Sequence, residues 1–101
     1  MNKYRNRRTT LYGITFDSQK EAQRYLVLLA DQNEGKIKDL QLQVPYEIKI
    51  NGVKVCKYIA DFVYQRDGQT IIEDVKGIRT QTYVIKRKLM KAVHGIDIVE
   101  V

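Results

Sequence analysis

At 101 residues the chain has room for one core and no second lobe, so any macromolecular substrate must lie on its surface. A hydrophobic content of 44% excludes wholesale disorder, and the lack of an apolar run near 18 residues excludes a membrane-spanning helix. Eighteen Lys and Arg against 12 Asp and Glu leave a formal charge of +6, which favours polyanionic partners, nucleic acid first among them, and no membrane.

Lys3, Arg5, Arg7 and Arg8 open the chain without apolar periodicity, so residues 1–12 read as a basic N-terminal arm and 13–101 as a single domain. Such an arm either holds phosphates or is merely solvated. No apolar segment follows these charges, and a cytoplasmic protein without a signal peptide is the expectation. Cys56 has no second cysteine to bridge to, and with His94 alone beside it no zinc-ligand set can be built. Cys56 reads as a strand residue with a free thiol, and His94, just before Gly95, as a residue packing or capping at a helix C-terminus.

Ser18 followed three residues later by Glu21 matches a helix capping box, and the helix should run to about Asn33, with Ala22, Tyr25, Leu26, Leu28 and Leu29 on one broad face. From Ile37 the pattern changes to period two and predicts an edge-like strand reaching Pro45, followed by Tyr46, Ile48 and Ile50. Asn51-Gly52 is a hairpin turn joining that run to Val53–Tyr64, and Arg66-Asp67-Gly68 turns the chain again into Gln69–Lys76. Thr80 or Thr82 caps a second helix through Val93, whose polar face carries Lys86, Arg87, Lys88 and Lys91; Gly95 ends it and Ile96–Val101 forms a last strand. The expected fold is α/β in the mixed α+β sense. It has an αβββαβ core, with an antiparallel three-strand meander and a parallel last strand in one mixed sheet flanked by helices.

Two acids sit inside apolar strand-like runs, Asp61 in Tyr58-Ile59-Ala60-Asp61-Phe62 and Asp74 in Ile71-Ile72-Glu73-Asp74-Val75-Lys76. Acidic residues are poor strand formers and costly to bury, and a shared divalent cation gives them a reason to be there. Strand alternation points Ile72, Asp74 and Lys76 to one face and Ile71, Glu73 and Val75 to the other. The turn places Asp61 opposite about position 73, one residue short of Asp74. A hard cation, Mg²⁺ or Mn²⁺, would take both carboxylates and the Val75 carbonyl, while Lys76 activates water or stabilises a phosphoryl intermediate. Blander readings stand beside these. Asp74 and Lys76 can be a surface ion pair, Glu21 can be only the partner of Ser18, and Glu73 can replace Asp74 if the register shifts. Arg79, Lys86 and Arg87 are either phosphate contacts or a solvated helix face.

From about Phe16 to Val101 the chain resembles the PD-(D/E)XK nuclease superfamily, with Asp61 matching its first acid and Asp74-Val75-Lys76 its triplet. Glu21 matches the first-helix glutamate of the resolvase-like and transposon-end-nuclease branches, and the wording around these residues is most similar to small phage and prophage proteins. Ala60 stands where the family often has proline, a position that makes no metal contact. The resemblance implies a Mg²⁺-dependent DNA endonuclease acting on branched DNA or recombination intermediates, with Glu21, Asp61, Asp74 and Lys76 as its catalytic set. A homodimer presenting two sites to two strands fits so small a domain. The alternative is a non-catalytic nucleic-acid-binding accessory protein on the same fold, with a protein–protein adaptor behind it.

Overall fold

The computed structural model describes residues 8–101; Lys3, Arg5 and Arg7 lie outside the described residues. The first element falls inside the segment expected to be an arm. Strand β1 (Thr9–Leu11) pairs antiparallel with β2 (Ile14–Phe16), so part of that segment is a paired strand. Tyr12 and Gly13, with φ of 52° and 78°, make the two-residue turn between them. The same pair of left-handed residues recurs at Asn51-Gly52 and Asp67-Gly68, where the asparagine and aspartate made the turn legible; Tyr12 carries no such signal.

Helix α1 (Gln19–Asn33) starts where Ser18 Oγ accepts the Glu21 N–H at 3.1 Å. It leads into β3 (Lys38–Ile50), β4 (Val53–Arg66) and β5 (Gln69–Asp74), then α2 (Gln81–His94) and β6 (Val99–Glu100). The sheet order is β3-β4-β5-β6, antiparallel except for the parallel β5–β6 pair, with a separate small β1–β2 sheet. The two helices and this mixed sheet are the expected mixed α+β architecture. Strand β3 is longer than expected, running through Pro45, which an edge strand tolerates, with register shifts against β4 between Lys38 and Gln41 and between Ile48 and Lys49. Strand β6 is shorter, only Val99–Glu100, yet Val101 N–H to Asp74 O at 3.1 Å and Lys76 N–H to Val101 O at 3.2 Å carry the pairing past its end.

Each sheet face has its own core. Phe16, Tyr25, Leu28, Phe62 and Tyr64 pack on the α1 side, and Ile48, Tyr58, Ala60, Ile72 and Met90 on the α2 side. Burying one such large side chain contributes about 1.5–3 kcal/mol, so these clusters fix both helices to the sheet. Even-numbered residues change sides within the long hairpin: Leu40 and Leu42 join the α1 core but Val44 and Tyr46 the α2 core, while Tyr58 and Ala60 face α2 and Phe62 and Tyr64 face α1. The switch falls between the Leu42–Phe62 and Val44–Ala60 rungs, at Gln43 and Asp61. Gln43, with φ of 53°, breaks the strand alternation there. Among the described residues no helix is long and apolar enough to cross a membrane.

Candidate active site

Strand β5 sends its neighbouring acids to opposite faces. Ile71 packs on the α1 side and Ile72 on the α2 side, and Glu73 and Asp74 follow them. Asp74 is 3% exposed; the Tyr58 hydroxyl donates to its Oδ2 at 2.5 Å, and the Lys76 ammonium lies 3.0 Å from its Oδ1. Oδ1 accepts no well-oriented hydrogen bond, so the ammonium contact leaves it lone-pair capacity. Lys76 also stands 4.0 Å over the Tyr83 ring, and Lys20 Nζ donates to its carbonyl at 2.9 Å, tying α1 to the end of the triplet. Asp74 and Lys76 thus do pair, and the pair is mostly buried rather than on an open sheet surface.

The β4–β5 ladder pairs Phe62 with Glu73, which brings Asp61 level with Asp74, one residue beyond position 73. Asp61 Oδ2 accepts the Val75 N–H at 2.8 Å, so the Val75 group that meets Asp61 is its amide. Glu21 meets Ser18 through its backbone only, and its carboxylate turns toward β3. Its backbone N–H goes to Ser18, while its carboxylate Oε1 accepts from Gln43 Nε2 at 3.0 Å. The same Gln43 nitrogen is 3.4 Å from Asp61 Oδ1. Burial first, then repulsion from Asp61, Asp17 and Asp74, pushes the Glu21 carboxyl up to about 7. Burial likewise pushes Asp61 up to about 6, with Asp74 adding to the rise and the Val75 N–H opposing it. For both groups burial is the larger cause and neighbouring carboxylates the smaller.

These oxygens are of the kind a hard divalent cation takes, and Asp74 Oδ1, buried beside the Lys76 ammonium, accepts no well-oriented hydrogen bond. Among the described residues, however, no three carboxylate, imidazole or thiol groups are drawn together as a ready metal-ligand set. The Gln43 amide and the Lys76 ammonium contact the carboxylates instead. Glu73, the rival to Asp74, is excluded from the site. It is fully buried on the α1 side, gripped by Arg24 Nε at 2.9 Å and Nη2 at 2.6 Å and by the Tyr64 hydroxyl.

The basic residues divide. Lys86 joins Lys57, Tyr58, Asp74, Lys76 and Tyr83 around a cleft of about 300 Å³. A second concavity of about 410 Å³ adjoins it through Lys76 and Thr80 and reaches Ser18 and Lys20 at the start of α1. Arg79 and Arg87 are placed farther along, both drawn to Glu100, with Arg87 at 3.7 Å; the Tyr83 hydroxyl donates to the same carboxylate at 2.7 Å. Arg8 is exposed. Cys56 packs against the α2 core, and His94 Nε2 lies 2.8 Å from Glu47 O, fastening the end of α2 to β3. Gln43, Tyr58 and Lys57 are site residues that sequence reasoning missed. Tyr58 stood in view, three residues before Asp61, whereas nothing local marks Gln43.

The fold and site define a small mixed α+β domain in which three acids and a lysine come from α1, the middle of β4, the end of β5 and just beyond it. The chain belongs to the DUF1064 family, described as a protein of unknown function, whose sequence model matches residues 1–97. No curated protein matches the chain.

Proposed function

We propose that the protein is a metal-dependent DNA endonuclease of the PD-(D/E)XK kind, hydrolysing phosphodiester bonds with Mg²⁺ or Mn²⁺. The observation that carries this reading is the buried Asp74, with one oxygen lacking a well-oriented partner, next to Lys76 and level with Asp61. Asp61, Asp74 and Glu21 would hold the cation, which supplies Lewis-acid polarisation of phosphate and water when bound. Tyr58 orients Asp74 through Oδ2, and the Val75 amide orients Asp61 through its own Oδ2. Lys76, beside Asp74 and bordering both concavities, is set to neutralise charge that builds on phosphoryl oxygens as water attacks phosphorus and the ester oxygen leaves. Lys57 and Lys86 supply positive charge for the flanking backbone. A domain this small has little room for a sequence-reading module of its own, which suits recognition of DNA shape, so branched substrates and a homodimer belong to the same proposal.

Cleavage of four-way, duplex and single-stranded DNA with Mg²⁺ or Mn²⁺, by wild type and by Asp74→Asn, tests it. Metal-dependent cutting by wild type that the variant loses supports the reading; no cutting of any substrate sinks it. The rival, nucleic-acid binding without cleavage, is favoured by the lack of a converged three-ligand set among the described residues. It predicts salt-sensitive DNA binding that Asp74→Asn leaves unchanged or strengthens.

A further inference from the structure

Gln43 is exposed on the edge strand, yet its side chain reaches inward across two elements. Its Nε2 lies 3.0 Å from Glu21 Oε1 on α1 and 3.4 Å from Asp61 Oδ1 on β4. Ionised carboxylates only accept, so with both acids deprotonated the amide faces them with nitrogen, and its two N–H groups match two acceptors. The residue does this from a left-handed backbone, φ 53°, in a strand interior where a non-glycine residue is strained. That conformation is also where the long hairpin changes faces, so the bridge and the switch in the sheet coincide.

We propose that Gln43 is a positioning residue that holds the metal-free site together, its amide nitrogen standing in for a divalent cation between Glu21 and Asp61 and withdrawing when the cation enters. The inference rests on the metal-site reading above. A neutral amide bridges two carboxylates with partial charge alone, so a divalent cation displaces it with a net gain. Because Gln43 is exposed, withdrawal uncovers no core. Gln43 therefore competes with metal and sets the affinity of the site, while keeping the acids placed when metal is scarce.

Gln43→Asn tests this, since asparagine tolerates the left-handed conformation but is one methylene too short to span the carboxylates. The full chain is melted in chelator and in saturating Mg²⁺, and Mg²⁺ affinity is measured by calorimetry. The expected result is a melting temperature lower by roughly 3–6 °C in chelator, equal to wild type in Mg²⁺, and Mg²⁺ binding about 3–10-fold tighter. Gln43→Gly, which relieves the backbone strain, should tighten Mg²⁺ binding in the same way, whatever its effect on the metal-free melt. Equal destabilisation in both conditions makes the bridge purely structural, and weaker Mg²⁺ binding makes Gln43 a ligand; either overturns the proposal. If wild type binds Mg²⁺ and both variants bind it identically, this inference alone fails, whereas no binding by wild type overturns the metal site and the inference together.

Discussion

Glu73 and Asp74 are adjacent, both buried, and treated in opposite ways by the fold. On the α1 side Glu73 receives a two-pronged guanidinium and a phenol, so its oxygens are satisfied from within the chain. On the α2 side Asp74 receives one phenol and an ammonium outside good hydrogen-bond geometry, and one oxygen keeps capacity for another partner. The difference separates an acid satisfied wholly within the chain from one whose Oδ1 meets only an ammonium, which is the ground of the metal-site proposal. A buried oxygen without a well-oriented partner calls for an explanation, and a bound cation is the one proposed for Asp74.

The contrast predicts opposite outcomes for paired substitutions. Asp74→Asn should lower DNA cleavage by about 1000-fold or more at a smaller cost in melting temperature than a break in the Glu73 pair, because Asn keeps an acceptor for Tyr58 and the ammonium it leaves, that of Lys76, is 26% exposed. Cleavage and melting curves on one preparation check both halves. Arg24→Met should do the reverse, costing about 3–5 kcal/mol in urea unfolding by stranding the buried Glu73; a loss under about 1 kcal/mol would dissolve the distinction.

Acid titration gives the next effect. Glu21 and Asp61 hold protons more tightly folded than unfolded, from ordinary values of 4.5 and 3.8 up to about 7 and 6. Stability present below about pH 4 is therefore lost as pH rises to 7, with Glu21 alone contributing up to about 3 kcal/mol. Melting in chelator from pH 4 to 7.5 should show this decline, and Mg²⁺ should flatten it near neutrality; a rise with pH in chelator would refute the upward shift that burial and neighbouring acids impose on these carboxyls. Smallest is Tyr58→Phe, which removes the donor to Asp74 Oδ2 and should lower Mg²⁺-dependent cleavage about tenfold, read as a rate at saturating metal.

Local chemistry made much of this legible. Ser18 and Thr80 as caps, Gly95 as a stop, and the Asn51-Gly52 and Asp67-Gly68 turns act within a few residues, so the element order and the meander could be read directly. Alternation along β5 likewise put Asp74 and Lys76 on one face, where the structure has them 3.0 Å apart. What escaped depends on distance along the chain. The Arg24–Glu73 pair joins residues 49 apart, Arg79 and Arg87 meet Glu100 only once β6 lies beside β5, and the left-handed Gln43 obeys tertiary packing against local preference. The β1–β2 hairpin escaped because a basic segment and a turn opened by tyrosine hid a three-residue strand.

Calorimetric titration of Mn²⁺ into wild type, Glu73→Gln and Asp74→Asn brings the two acids to one readout. Binding by wild type, retained in folded Glu73→Gln and lost in folded Asp74→Asn, is the expected result. Equal binding by all three folded proteins, or none by wild type, would contradict the assignment of Asp74 as the acid that awaits a metal.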